Sequence, residues 1–239
     1  VEPEMVSEES TLYKRHPEWC LHVPGRPRQI GRNQLVLDLS RSEVVDYLYE
    51  QLSKLFRSAN IEYVKWDMNR PLTEAFSTGK WTGAQEKQGL GGVRQNETSH
   101  RFVLGVYELM GRLTREFPGI LLENCASGGG RFDLGLLYFS PQIWCSDNTD
   151  ALTRMRIQYG SSFAYPARCI GAHVSCVPNH ITANYTRART RAFVAMCGTY
   201  GYELDVSKCT PAEIELFQTQ SAVYRHIAHT VRNGDLYRL

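Results

Sequence analysis

The sequence has no run approaching the roughly 18 apolar residues that a membrane-spanning helix requires, and its first residues form neither a basic nor an apolar segment of the signal-peptide kind. An excess of charge of one sign is also missing. The 27 Lys and Arg are interspersed with 25 Asp and Glu, for a formal net charge of +2. No field is built that would draw phosphate backbones or anionic lipids, so neither a nucleic-acid nor a membrane partner is expected. Cysteine occurs seven times, at 20, 125, 145, 169, 176, 197 and 209, but never as Cys-x-x-Cys and never with His at zinc spacing. Most of the cysteines are expected to be buried small hydrophobes, and no metal is expected. The Gly-rich run Ser127-Gly128-Gly129-Gly130-Arg131 lacks the Lys-Ser/Thr ending of a phosphate-binding loop and the spacing of a dinucleotide fingerprint, so no nucleotide cofactor is expected either. There is no internal repeat and no low-complexity tract. The chain starts on Val1-Glu2-Pro3-Glu4-Met5 without an initiator Met, as expected of a piece of a longer protein.

What is present is ordinary for a globular chain: 239 residues, 42% hydrophobic and 22% charged. That length fits one α/β barrel-sized domain or two small ones. Short apolar runs alternate with amphipathic helical patterns, the arrangement of repeated β-α units around a parallel sheet. Ser40 and Glu43 read as a capping box ahead of Val44, Tyr47, Leu48, Leu52, Leu55 and Phe56 at helical spacing. A strand is expected over Ile61 to Asp67, and a helix from about Thr98 to Phe117 stopped by Pro118. Further strands are expected at Ile120 to Leu122, Ile143 to Cys145, Val174 to Val177 and Tyr202 to Val206. Thr210 and Glu213 form a second capping box for a last helix from Pro211. The Gly-rich stretch around Gly79 to Gly92 reads as a loop. Asn96-Glu97-Thr98 and Asn184-Tyr185-Thr186 match the glycosylation acceptor pattern, which matters only in a secreted protein.

Three strand candidates end in polar residues, as Lys65-Trp66-Asp67-Met68-Asn69, as Glu123-Asn124-Cys125-Ala126-Ser127, and as Trp144-Cys145-Ser146-Asp147-Asn148. Chemistry gathered at the C-terminal ends of strands is the habit of (β/α)8 barrels. Alternation along a strand puts Lys65, Asp67 and Asn69 on one face and Trp66 on the other. A Lys beside Asp67 would keep it ionised, as a nucleophile requires, although a structural ion pair reads equally well. Asp147 and Asp150 could each be a helix N-cap instead of a catalyst. Two carboxylates with Trp144 nearby are nevertheless the equipment for glycoside hydrolysis. The glycines after Ser127 would let backbone approach a ligand closely.

Those segments resemble glycoside hydrolase family 36, the large microbial-type α-galactosidases. So do Glu2 to Val6, Leu12-Tyr13, His16 to Trp19, Pro24 to Pro27, Gly31 to Gln34 and Gly201 to Asp205, in the same order. The resemblance implies a (β/α)8 TIM barrel present only in part, residues 1–239 being its C-terminal two-thirds, about strands three to eight. Glu2-Pro3-Glu4 would close the third strand and Tyr202 to Val206 would be the eighth. The family's tandem Asp pair, the first strands and the flanking β domains would lie outside the chain. The resemblance further implies Asp67 as nucleophile and Asp147 as acid/base. Arg32, Lys65, Trp66, Met68, Asn69, Cys125, Ser127 and Trp144 would bind substrate, with Lys65 on ring hydroxyls and Trp144 against the apolar sugar face. The activity implied is a retaining exo-α-galactosidase on melibiose and raffinose-type sugars, without cofactor, in a protein that is often tetrameric. A galactosyl-transferring synthase, an α-N-acetylgalactosaminidase and a non-catalytic sugar binder are the alternatives. The segment from Ser77 to Gly92 looks longer than usual for the family. A partial barrel would expose sheet edges, and the isolated fragment is expected to be inactive or insoluble.

Overall fold

The computed structural model describes residues 1–79 and 95–237, so the Gly-rich stretch after Asp67 lies almost wholly outside the described residues. The chain forms two units: residues 1–126 with 134–139, and residues 127–133 with 140 onward.

In the first unit, strands β1 (Met5–Val6) and β2 (Leu35–Val36) pair antiparallel. Helix α1 (Thr11–Arg15) follows β1, and the Ser10 hydroxyl caps it by accepting from Tyr13 N–H. Helix α2 (Ser42–Arg57) buries Val44, Leu48, Leu52 and Phe56 of the expected stripe together with Val45, while Leu55 is exposed. Its expected capping box does not form. The Ser40 hydroxyl donates to Asp38 Oδ1, and Glu43 pairs with Arg41. The helix begins at Ser42 with Arg41 at its N-cap, which leaves Ser40 one residue outside the capping position. Strand β3 (Tyr63–Asp67), helix α3 (Thr98–Glu116) and strand β4 (Leu121–Cys125) form a parallel β-α-β step in which Lys65 stands opposite Glu123 and Asp67 opposite Cys125. The short helix α4 (Leu134–Phe139) completes the unit.

Along β3 the alternation is as expected. Val64, Trp66 and Met68 are buried at 6%, 0% and 5% exposure, while Lys65, Asp67 and Asn69 are half-buried. The core face of β3 packs with Leu109, Met110 and Leu113 of α3 and with Leu122, each worth roughly 1.5–3 kcal/mol of burial. Trp66 also donates from Nε1 to buried Glu4 Oε1 at 2.8 Å. On the other edge of β3, the Val1 amino group donates to Lys65 O at 2.8 Å and Asp67 N–H donates to Val1 O at 2.9 Å. That is the bond pair a parallel neighbour makes with the residue between, Trp66.

In the second unit, strand β5 (Gln142–Ile143) is followed by helix α5 (Ala151–Ser161), strand β6 (Gly171–Ser175), helix α6 (Ala188–Ala195), strand β7 (Thr199–Glu203) and helix α7 (Pro211–Asn233). β6 and β7 are parallel, from Gly171 opposite Thr199 to Ser175 opposite Glu203, and Ile143 bridges Ile170 in the same sense. Both strands start three residues earlier than expected. Small residues open them, and Asp205, counted into the last strand by its apolar neighbours, caps a 3-10 turn at Val206–Lys208. The Thr210/Glu213 capping box forms as expected. No helix among the described residues is long and apolar enough to cross a membrane.

Candidate active site

Asp67 ends β3, and its Oδ1 is buried without a hydrogen-bond partner among the described residues. Buried polar oxygens are nearly always satisfied, so a carboxylate oxygen left open at a strand end needs an explanation. Beside it, Lys65 Nζ lies 3.6 Å from Glu123 Oε1, a carboxylate 1% exposed in register on β4. Tyr63 donates to the other oxygen of Glu123 at 2.6 Å. Burial and this carboxylate push the Tyr63 phenol above its ordinary range. Alternation along β3 sets Lys65 beside Asp67 but does not reveal Glu123, which comes from the neighbouring strand. A carboxylate inside the apolar run Ile120 to Cys125 was the available signal.

Asn69 donates to Glu2 Oε1, and Gln34 donates to Glu2 Oε2 at 3.2 Å. Arg32 is exposed on the tight turn Gly31 to Gln34, with Arg32 and Asn33 both left-handed at φ 53° and 60°. Cys125 stands opposite Asp67 with its side chain buried, and its carbonyl accepts from Met68 N–H. Trp66 and Met68, assigned to substrate binding on the resemblance, are buried on the core face, because alternation turns both neighbours of Asp67 to the side opposite its carboxylate.

In the second unit, Trp144 Nε1 donates to Asp147 Oδ1 at 3.1 Å. Strict alternation would have separated the two, but β5 stops at Ile143 and the following turn brings them together. Trp144 is 3% exposed, with Arg154 Cζ 4.3 Å over its ring and the His173 ring 4.6 Å away. Trp144 thereby holds one oxygen of Asp147 through a hydrogen bond from a buried indole. Arg154 also ties the segment down, donating to Ser146 O at 2.6 Å and Asn148 O at 2.8 Å.

The glycines beside Ser127 serve that same segment. A Cβ on Gly128, where φ is +86°, would lie 3.0 Å from Ser146 Cα and 3.1 Å from Asp147 N, and one on Gly129 would lie 2.6 Å from Cys145 O. The close approach expected toward a ligand is thus made toward the backbone that carries Asp147. Ser127 itself holds a left-handed φ of 49°, the kind of strain that the surrounding structure must impose.

The N-cap reading belongs to Asp150 alone, which accepts from Thr153 N–H at 3.0 Å and from Asn184 Nδ2 at 3.2 Å. Burial pushes the Asp150 carboxyl upward, but the bonds from Thr153, Asn184 and Thr182 outweigh it and hold its pKa below the ordinary carboxylate value. The stability it adds is present above the unfolded value and is lost as pH falls through the folded one. Asp150→Ala is expected to remove about 1 kcal/mol at neutral pH, read as a lower urea midpoint, and to flatten the acid limb of the midpoint-against-pH curve; an unchanged limb would count against the cap. Of the seven cysteines, Cys20, Cys125, Cys145 and Cys169 are buried. Among the described residues no group of three or more His, Cys, Asp or Glu could hold a metal.

A carboxylate at the end of a parallel strand with one oxygen uncommitted, and a second carboxyl steered by an indole, are the parts from which a glycoside hydrolase is assembled. Residues 1–234 match the family model described as Melibiase, and the chain belongs to that family. It is 52% identical over 239 residues to α-galactosidase AgaA of Geobacillus stearothermophilus, covering all of this chain and 31% of that protein's length. The crystal structure of that enzyme superposes with a TM-score of 0.93 at 52% identity, over 100% of this chain and 32% of the other. A variant of it solved with raffinose bound superposes with a TM-score of 0.93 at 51% identity, over the same shares. The chain therefore spans about a third of the relatives it matches.

Proposed function

We propose that this chain carries the catalytic carboxylates of a retaining exo-α-galactosidase of glycoside hydrolase family 36, within about strands three to eight of a (β/α)8 barrel. The observation that carries the reading is the open Oδ1 of Asp67 at the end of β3. The bond pair from Val1 to β3 supports a further parallel strand on that edge. In the reaction, an Asp67 oxygen attacks the anomeric carbon and forms a β-galactosyl ester. The bond to the departing oxygen breaks as Asp147 gives that oxygen its proton. Asp147, now a carboxylate, takes a proton from water, whose oxygen displaces Asp67 and leaves galactose with its original α configuration. Trp144, fixing one oxygen of Asp147, orients the other for both transfers.

Arg32, Lys65, Asn69 and Ser127 are assigned to the sugar hydroxyls. Glu123 steadies Lys65, and Trp66, Met68, Cys125 and Trp144 act as buried supports. The substrate class is a terminal α-galactoside of the melibiose and raffinose type, supported by the raffinose complex of the 51% identical relative. The full-length protein is assigned a homotetramer by the same family likeness.

Asp147→Ala in the full-length protein tests the acid/base role. Turnover of raffinose, whose leaving group needs a proton, is expected to fall about 10²–10⁴-fold. An aryl galactoside with an acidic phenol should lose far less in the first step and accumulate ester. Equal losses on both substrates would remove Asp147 from the role.

A further inference from the structure

Three residues beyond Asp67, Arg70 turns back into the first unit and is only 9% exposed. A guanidinium is costly to bury, so what it holds there is informative. Its Nη1 donates to the carbonyls of Gln29, at 2.9 Å, and of Gln34, and its Nη2 donates to the Thr73 hydroxyl at 3.2 Å. Gln29 and Gln34 flank the turn that carries Arg32. Gly31 N–H donates to Gln34 O at 3.1 Å and Gln34 N–H to Gly31 O at 2.9 Å, closing the turn on itself. A second tie runs from the same strand end, from Asn69 through the Glu2 carboxylate to the Gln34 side chain. Two neighbouring residues of the Asp67 segment thus grip the base of a turn whose tip residues are both left-handed.

We propose that Arg70 is a positioning residue that sets where the Arg32 guanidinium stands relative to Asp67, and through it the enzyme's affinity for the glycone. This rests on the assignment of Arg32 to the sugar hydroxyls. Arg32 is exposed and its turn is only four residues long, so nothing in the turn itself fixes its height or tilt. Arg70 Nη1, reaching both carbonyls while Nη2 anchors the guanidinium plane to the Thr73 hydroxyl, fixes both. Lysine keeps the charge but cannot span two carbonyls and a hydroxyl from one ammonium.

The test uses the full-length enzyme with raffinose as substrate. Arg32→Ala is expected to raise KM about tenfold or more; an unchanged KM there would sink the Arg32 assignment and this proposal with it. Arg70→Lys is expected to raise KM about tenfold with kcat within about threefold, inside the ~100-fold that a 1 Å misplacement can cause. The double variant should be no worse than Arg32→Ala, because Arg70 acts through Arg32. If Arg32→Ala raises KM while Arg70→Lys only lowers the melting temperature, or if the two effects multiply, the positioning role is overturned and the Arg32 assignment stands. Should Arg70→Lys fail to fold, Asn33→Val decides. A β-branched residue at φ 60° loosens the turn without touching Arg70 and should raise KM likewise, while Asn33→Gly should not. A normal KM in Asn33→Val would overturn the proposal.

Discussion

Asp67→Asn is expected to lower turnover on the order of 10⁴-fold or more while leaving the fold intact. The amide has the shape of the carboxylate but no electron pair able to form a galactosyl ester, so the double displacement stops before its first bond. The structure predicts little loss of stability, because Oδ1 accepts no hydrogen bond among the described residues that an amide would forfeit. Removing a charge from a part-buried strand end can even raise the melting temperature slightly. The discriminating measurement is the intact mass of the full-length protein after incubation with a fluorinated galactosyl trap. The parent should gain one covalent galactosyl unit and the variant none. Labelling that survives the substitution would take the nucleophile's role from Asp67.

Gly105→Ala is expected to be strongly destabilising, against the usual sign of such a change in a helix. Gly105 lies inside α3, where alanine would ordinarily gain about 1 kcal/mol. Here the added Cβ would fall 1.9 Å from the carbonyl oxygen of Leu39 and 2.8 Å from its carbon. Leu39 is 1% exposed and lies three positions before the first residue of α2, so neither partner has room to withdraw. Overpacking of this kind typically costs about 1–3 kcal/mol, and a main-chain clash lies at the upper end. The paired control is Gly160→Ala in α5, where a Cβ would meet nothing within 4 Å and the ordinary gain should appear. Urea midpoints of the two variants should therefore move in opposite directions. Equal shifts would mean that the contact between α3 and Leu39 relaxes freely.

The sequence made the first unit legible because its helices bury apolar stripes: α2 and α3 hide most of the residues that their spacing singles out, with Leu55 and Val103 left exposed at the margins. Helix α5 was not legible for a physical reason. Its buried positions are Ala151, Arg154 and Gln158, while Leu152, Met155 and Tyr159 face outward, so apolar periodicity points the wrong way. The face of β3 that carries Asp67 followed from alternation alone, and the indole bond to Asp147 did not, since it depends on where β5 stops. Ser40 and Glu43 show the limit of local patterns, a capping spacing left unused because the helix starts one residue later, with Arg41 at its N-cap. Arg70 left no local trace. Besides the Thr73 hydroxyl, its partners lie 36 and 41 positions upstream and are main-chain carbonyls, which carry no residue identity to read.

The contact of Gly128 and Gly129 with Cys145 to Asp147 has a consequence for enzyme engineering. Any side chain at these two positions would be refused by the main chain of the acid segment whatever sugar is offered. A library that randomises them would be depleted by misfolding before substrate preference is sampled. Diversity aimed at new acceptors is better spent elsewhere, with Gly128, Gly129 and the Ser-Asp-Asn segment inherited together as one cassette.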